Sequence, residues 1–330
     1  VPHPPRQDAP DRPVVVAFGG NALLPDPGAG GNGEVPGRLE ALARAVRLLL
    51  PTRAGLVLVH GNGPQVGRLA LRVEATRDEI PVDPLDVLVA QTQGDLGYRL
   101  CAALRDVPAV LGRRREVVAL VTQVVVDPTT AAFTRPTKPI GPFYPPVEGR
   151  RLAAEHGWDL VQVPGRGVRR VVPSPPPLEV VEIRAIVDAA RRGYVVVAGG
   201  GGGVPVARRG DGSLTGVEAV VDKDHTASLV AQALDASMFV NLTAVPAVYR
   251  AFGSGTQVAL DTLTLEEARG LLAAGEFPSG SMGPKVEAAI AFAASTGRPA
   301  LITDAASLDD ALAGAAGTWI LPPAAPLSSP

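Results

Sequence analysis

Short runs of β-branched and aliphatic residues alternate along this chain with windows of apolar residues at helical spacing, a pattern that predicts a mostly parallel sheet covered by helices on both faces. Val14 to Phe18 reads as the first buried strand. Leu39, Leu42, Ala43, Val46, Leu49 and Leu50 then share one helix face, closed by Pro51, and Leu56 to Val59 forms the second strand. Helical windows follow from Pro64 to Thr76 and from about Leu85 to Leu104, and Val117 to Val126 reads as one long strand.

Between Pro128 and Pro177 proline density rises and periodicity fades, so this stretch is expected to leave the sheet as a flap or small protruding subdomain. Val180, Ile183, Val187 and Ala190 line one helix face, Gly193 suits its end, and Tyr194 to Ala198 is a strand that runs straight into five glycines. Val204 to Ala207 and Leu214 to Val217 flank an Asp-Gly turn and predict a hairpin. A second α/β set follows. It comprises a helix from Asp224 to Leu234, a strand from Met238 to Thr243, a helix opened by the capping pair Thr264 and Glu267, and a helix from Pro284 to Ser295. Strand Ala300 to Thr303, helix Leu308 to Ala313 and strand Thr318 to Leu321 complete it. At 330 residues two lobes are expected, because single cores rarely grow beyond ~250–300 residues. Residues 1–13 and 323–330 read as disordered tails.

Composition narrows the partners. Hydrophobic residues make up 46% of the chain and charged residues 19%, enough apolar material for a sizeable core. The formal charge of −2 gives no bulk attraction to nucleic acid or to an anionic membrane, so neither is expected as a partner. A single cysteine, Cys101, leaves no intramolecular disulfide and no cysteine-based zinc site. No apolar run approaches the ~20 residues of a membrane span, and the first residues are polar and proline-rich, so a cytoplasmic location is expected.

Glycine turns mark the candidate chemistry. Gly19-Gly20-Asn21 follows the first strand, His60-Gly61-Asn62-Gly63 the second, and Gly199 to Gly203 a third. At the carboxyl ends of parallel strands such turns let backbone N–H groups approach an anion. No Walker A pattern, protein-kinase motif set or dinucleotide fingerprint is present, so any phosphate must be held in another way. Lysine occurs only as Lys138, Lys223 and Lys285 in a chain that otherwise uses arginine, each in a glycine- or aspartate-rich setting. A compact ammonium on a flexible stem suits a migrating phosphoryl group where a guanidinium fork is too rigid.

Eight collinear strings make a resemblance specific. They are Val-Ala-Phe-Gly-Gly-Asn-Ala (16–22), His-Gly-Asn-Gly-Pro-Gln-Val-Gly (60–67), Gln-Thr-Gln-Gly-Asp-Leu-Gly-Tyr (91–98) and Val-Thr-Gln-Val-Val-Val-Asp (121–127). Thr-Lys-Pro-Ile-Gly-Pro-Phe (137–143), Gly-Arg-Gly-Val-Arg-Arg-Val-Val-Pro-Ser-Pro (165–175), Gly-Val-Glu-Ala-Val-Val-Asp-Lys-Asp (216–224) and Pro-Ser-Gly-Ser-Met-Gly-Pro-Lys-Val-Glu-Ala-Ala (278–289) continue them. Together they resemble the carbamate kinases of the amino acid kinase family over about residues 14–303.

The resemblance implies an αβα sandwich of two lobes around mostly parallel sheets. Residues 14–203 would form the acid-substrate lobe, with the protruding subdomain at about 128–177, and residues 204–322 the nucleotide lobe. It implies reversible phosphoryl transfer between ATP and carbamate, giving ADP and carbamoyl phosphate, with Mg²⁺ carried by the nucleotide phosphates rather than by protein side chains, and a homodimer. Gly19, Gly20, Asn21, Gly61, Asn62, Gly63 and Gly199, Gly200, Gly201 and Gly202 would surround the acid and the transferred group. Lys138 would reach in from the protrusion, Lys223 and Lys285 from the nucleotide side, and Asp224 would orient the lysines. Thr243, Ala244, Val245, Gly280, Ser281 and Met282 would line the nucleotide pocket. His60 has a structural role on this reading, since an ionised carbamate oxygen needs no general base. The alternatives are a related enzyme acting on another small acid or nitrogen compound, and a non-catalytic nucleotide-binding regulator.

The chain also departs from the resemblance. Pro246 stands where the family usually has an acidic residue, and Arg250-Ala251-Phe252-Gly253 replaces an asparagine-glycine stretch. A glycine-rich insertion, Gly28 to Gly33, follows the first turn.

Overall fold

A computed structural model of the protein describes residues 12–19, 34–50, 54–105, 115–278 and 280–323, and of residues 34–39 and 41 the backbone alone. Gly20, Asn21, the insertion Gly28 to Gly33, Pro51 and most of both expected tails lie outside the described residues, as does the side chain of Leu39.

The first half runs β1 (Val14–Phe18), α1 (Glu34–Leu49), β2 (Leu56–His60), α2 (Gly63–Ala75), α3 (Leu85–Arg105), β3 (Val117–Ala119) and β4 (Gln123–Val126). Then come β5 (Lys138–Tyr144), α4 (Pro146–His156), β6 (Asp159–Val163), β7 (Gly167–Val172), β8 (Pro177–Val180), α5 (Ile183–Arg191) and β9 (Val195–Val197). The second half holds β10 (Val204–Arg208), β11 (Leu214–Gly216), α6 (Lys223–Ala233), β12 (Met238–Thr243), β13 (Val248–Arg250), β14 (Val258–Leu260) and β15 (Thr262–Thr264). It closes with α7 (Leu265–Ala273), α8 (Met282–Thr296), β16 (Ala300–Asp304), α9 (Leu308–Leu312) and β17 (Thr318–Leu321).

Eight strands form one continuous sheet in the order β15-β17-β16-β12-β1-β2-β9-β3, antiparallel only between β16 and β17. Both halves of the chain meet in it where β1 pairs with β12. Side chains alternate across the sheet, so a fully apolar strand feeds two cores. Val15, Ala17, Val57, Val59 and Phe239 pack with Ile186 of α5, Val230 of α6 and Phe292 of α8. Val14, Val16, Phe18, Leu56 and Leu58 pack with Val46 of α1, Leu96 and Leu100 of α3 and Leu308 of α9. The expected αβα sandwich follows from that alternation. Arg12 and Pro13 are tied to the body: Arg12 pairs with Asp235, and the Pro13 carbonyl accepts from the Ser237 N–H at 2.9 Å.

Several elements differ from the sequence reading. The run Val117 to Val126 is two strands in two sheets, because the buried Gln93 side chain occupies the Thr122 backbone, accepting its N–H at 2.7 Å and donating to its C=O at 3.0 Å. β4 belongs instead to a second sheet, β11-β10-β4-β8, which includes the expected hairpin of β10 and β11. Val180 ends strand β8, and α5 begins only at Ile183.

Residues 138–172 carry their own antiparallel sheet, β5-β7-β6, with α4 beside it. Proline masked this unit in the sequence. Pro139 and Pro142 sit in β5, an edge strand where a missing N–H is tolerated, and Pro146 opens α4. The unit rests on α2 at a backbone-to-backbone contact, where a Cβ on Gly67 would lie 2.0 Å from the Cα of Gly141.

The hairpin of β13 and β14 turns through Ala251, which has φ +49°. An L-residue there costs ~1–2 kcal/mol, whereas glycine adds ~0.4–1 kcal/mol of unfolded-chain entropy. Ala251→Gly is therefore expected to raise stability by a little under ~1 kcal/mol, read as a higher urea midpoint at unchanged m-value.

Candidate active site

β1, β2, β9 and β12 run parallel and end at one edge of the sheet, where Gly19, Gly61, Ala198-Gly199 and Ala244 follow them. The Gly61 N–H donates to the Phe18 carbonyl at 2.9 Å, which joins the first two turns. Gly63 opens α2, but the Asn62 side chain does not cap that helix; it donates to Thr92 Oγ1 at 2.9 Å, and Thr92 donates to the Val89 carbonyl at 2.6 Å.

Gly199, Gly201, Gly202 and Gly203 all have left-handed φ, from +62° to +92°. Packing adds a second reason for glycine. A Cβ on Gly200 would lie 2.5 Å from His60 Nε2, and one on Gly201 2.2 Å from Asn62 Nδ2. The run is anchored by Gly199 N–H to Thr122 Oγ1 at 2.9 Å, by Gln93 to the Gly200 carbonyl at 2.9 Å and by Thr226 to the Gly202 carbonyl at 2.7 Å. The glycine run thus lies directly on the His60-Gly61-Asn62 turn.

Burial pushes the His60 imidazole down from 6.5 to about 4, against the opposing effect of its contact with the Gly61 carbonyl at 3.1 Å. The unfolded chain therefore takes up this proton first. The stabilisation is complete above pH 6.5 and is lost as pH falls toward 4. Between pH 7 and pH 5 the loss is expected to be roughly 2 kcal/mol. Urea unfolding at the two pH values should show it in the wild type, and His60→Gln should lack that component.

All three lysines converge on two carboxylates at the start of α6. Lys223 Nζ donates to both Asp224 oxygens at 2.9 and 3.0 Å, and Lys285 Nζ donates to Asp224 Oδ2 at 3.0 Å. Lys138 Nζ lies 2.5 Å from Asp222 Oδ2. Asp222 Oδ1 accepts the Asp224 N–H at 2.9 Å, so Asp222 caps α6 and couples Lys138 to the other pair. Asp224 also accepts from the Asn241 amide of β12 at 2.8 Å.

Burial alone would raise the Asp224 carboxyl, but Lys223 and Lys285 outweigh it and hold it below the usual range. Asp222 is likewise held well below that range, with Lys138 and then Lys223 overcoming its burial. Lys223 is raised, because Asp224 and Asp222 outweigh desolvation. Burial, and then the charge of Lys223, push Lys285 down to about 8 despite Asp224. Three ammonium groups face two carboxylates, which leaves one positive charge in excess for an anionic ligand.

The residues expected on the nucleotide side end or follow β12, which carries Asn241, and precede or open α8, which carries Lys285. Thr243 ends β12, Ala244 and Val245 follow it, and Pro246 is exposed with its carbonyl accepting from Thr303 at 3.0 Å. Gly280 and Ser281 are exposed just before α8, Met282 begins that helix, and Lys285 lies one turn in. Gly19 is partly exposed and none of the other described residues comes within 4 Å of where its Cβ would stand, while Gly20 and Asn21 fall outside the described residues.

Sequence reasoning missed two members of the network. Asp222 was readable as a cap in the Asp-Lys-Asp triplet, and Asn241 as a lone polar residue in the apolar run Met-Phe-Val-Asn-Leu-Thr.

An αβα sheet thus carries glycine turns at its parallel strand ends, with lysines bridged by aspartates at the start of α6. The chain belongs to the amino acid kinase family, whose model matches residues 12–304. Within that family it is similar to carbamate kinases. It is 45% identical to that of Halobacterium salinarum over 94% of this chain and 98% of that protein, and 41% identical to that of Pyrococcus furiosus over 94% and 99%. The solved carbamate kinase of Giardia lamblia bound to citric acid superposes with a TM-score of 0.87 at 38% identity, covering 94% of this chain and 98% of that one.

Proposed function

We propose that the protein is a carbamate kinase, transferring the γ-phosphoryl group of ATP to carbamate and, in reverse, that of carbamoyl phosphate to ADP. The observation that carries this reading is the joined set Lys138–Asp222 and Lys223–Asp224–Lys285 beside the glycine-lined strand ends. Transfer between two anions requires alignment and charge neutralisation more than any covalent step. The carbamate oxygen attacks already ionised, so the neutral, buried His60 is not needed as a base. The Gly19, Gly61 and Gly199–Gly202 turns hold acid and transferring group, with Lys138 on the acid side. Lys223 and Lys285 stabilise charge on the phosphoryl and leaving oxygens, and Asp224 fixes where the two ammonium groups point. Thr243 to Val245 and Gly280 to Met282 carry the nucleotide.

Mg²⁺ fits this site when bound through nucleotide phosphates, because both Asp222 and Asp224 are already engaged by ammonium donors. It would supply further neutralisation of phosphate charge. A homodimer working in the cytoplasm, where both nucleotides are at hand, completes the proposal; among the described residues no helix is long and apolar enough to cross a membrane.

The test is a coupled assay of ATP formation from ADP and carbamoyl phosphate. No turnover by protein that still binds ADP would refute the reading. The same assay gives a pH prediction. Lys285 acts protonated and loses its proton through about 8, so kcat/KM for ADP should fall ~10-fold per unit on the alkaline side. Lys285→Arg should move that limb to higher pH, and an unchanged limb would remove Lys285 from the assignment.

A further inference from the structure

Asn241 is fully buried, at 0% exposure, in the middle of β12. Its neighbours across the sheet are Ala17 of β1 and Ile302 of β16, both apolar. A buried amide in such a strand costs stability unless all its polar atoms are paired. This one is half paired. Nδ2 donates to Asp224 Oδ1 at 2.8 Å, whereas Oδ1 has no hydrogen-bond partner among the described residues.

The orientation of the amide follows from its partner. Asp224 is ionised and can only accept, so the NH₂ side must face it and the carbonyl must face away. Flipping the amide to pair the carbonyl would set oxygen against oxygen. The residue thus keeps its contact with Asp224 and leaves its own acceptor without a partner among the described residues.

Among the described residues the Asp224 carboxylate accepts four hydrogen bonds from three side chains. Oδ1 accepts from Lys223 and Asn241, and Oδ2 accepts from Lys223 and Lys285. Asn241 is the neutral one. It adds a fixed donor without adding a third positive charge to a pair whose charges already oppose each other, as the lowered Lys285 shows. An ammonium on a long flexible stem does not fix the rotation of a carboxylate, but a donor rooted in the central sheet does.

We propose that Asn241 is a positioning residue for phosphoryl transfer: it locks the Asp224 carboxylate in the rotation that presents Lys223 and Lys285 to the transferring group. The proposal rests on the phosphotransferase reading above. It deepens that reading by extending the site into the strand beneath it.

Two variants test it, after wild-type turnover of ADP and carbamoyl phosphate has been established separately. Asn241→Leu fills a similar volume with apolar atoms. It should melt at the same or a higher temperature, because removing a carbonyl that has no partner among the described residues offsets the lost bond to Asp224, while kcat falls ~10-fold or more and the KM for ADP changes less than threefold. A kcat within twofold of wild type overturns the proposal. A kcat loss accompanied by a lower melting temperature points to packing and overturns it as well.

Asn241→Asp carries the test independently, including the case in which the leucine variant fails to fold. The introduced carboxyl, when protonated, can donate to Asp224 as the amide does, and when ionised it repels Asp224. The titratable groups around the pair are Asp224, Asp222, Lys223 and Lys285. The two native carboxylates are held ionised and both lysines are charged below pH 7, so the new carboxyl is the group that titrates. Activity of Asn241→Asp relative to wild type should therefore rise as pH is lowered from 7 to 6, a range below the titration of Lys285. A constant ratio across that range overturns the proposal.

Discussion

Replacing Asp224 by alanine is expected to lower kcat for ATP synthesis by at least ~10³-fold, the largest loss of any single change in this chain. Its side chain is 3% exposed and touches two ammonium groups that are themselves only 11% and 10% exposed. Removing one member of a buried ionic set leaves uncompensated charge, at a cost of ~3–5 kcal/mol. Some of that cost is relieved by deprotonating Lys285, since Asp224 is the group that opposes its fall in pKa. The lysine most needed against phosphate charge is then neutral at the working pH. Asp224→Asn separates charge from shape, because it keeps the volume and can still accept from one lysine. It should retain the fold by circular dichroism and lose kcat nearly as fully. A kcat within tenfold of wild type in the asparagine variant would show that the lysines do not depend on the carboxylate.

The sheet was legible where strands are short, nearly continuous apolar runs. Val14 to Phe18 is buried throughout, and Met238 to Thr243 and Thr318 to Leu321 are buried along most of their length, so their composition marks them as strands. Legibility failed in three ways. The three-residue strands β13, β14 and β15 are too short to show a period, and the small sheet of residues 138–172 is held by an edge strand rich in proline and by a helix with one buried residue, Gly149. The break at Leu120 to Thr122 was invisible for a different reason, since it depends on a side chain 29 residues earlier, Gln93.

The site divides along the same line. The lysines stood out because the chain uses arginine for nearly every other positive charge. Their pairing did not, because Lys138 meets Asp222 across 84 residues and Lys285 meets Asp224 across 61. Periodicity reports which face of an element is buried. It cannot report which carboxylate a buried ammonium has found, and so the pairing of Asp222 with Lys138 and of Asn241 with Asp224 emerged only with the fold.

That pairing gives Lys138 and Lys285 distinguishable kinetic signatures. Lys138 begins β5 in the small sheet, has a side chain 28% exposed, and meets Asp222 at the cap of α6. Lys285 is buried one turn into α8, the helix that follows the Gly280-Ser281 turn. A lysine on the acid side acts mainly on the transition state, so Lys138→Ala is expected to cut kcat by at least ~10²-fold while ADP affinity stays within a few-fold. A lysine on the nucleotide side also holds ground-state phosphate, so Lys285→Ala should raise the KM for ADP ~10-fold as well as lower kcat. Gly67→Ala provides a control on position, since its Cβ would press on the Gly141 backbone and displace the sheet that carries Lys138. It should reproduce the Lys138→Ala profile in weaker form, with kcat reduced and the KM for ADP unchanged. Steady-state kinetics with calorimetric ADP titration of all three variants decides the matter, and identical profiles for Lys138→Ala and Lys285→Ala would undo the division of roles.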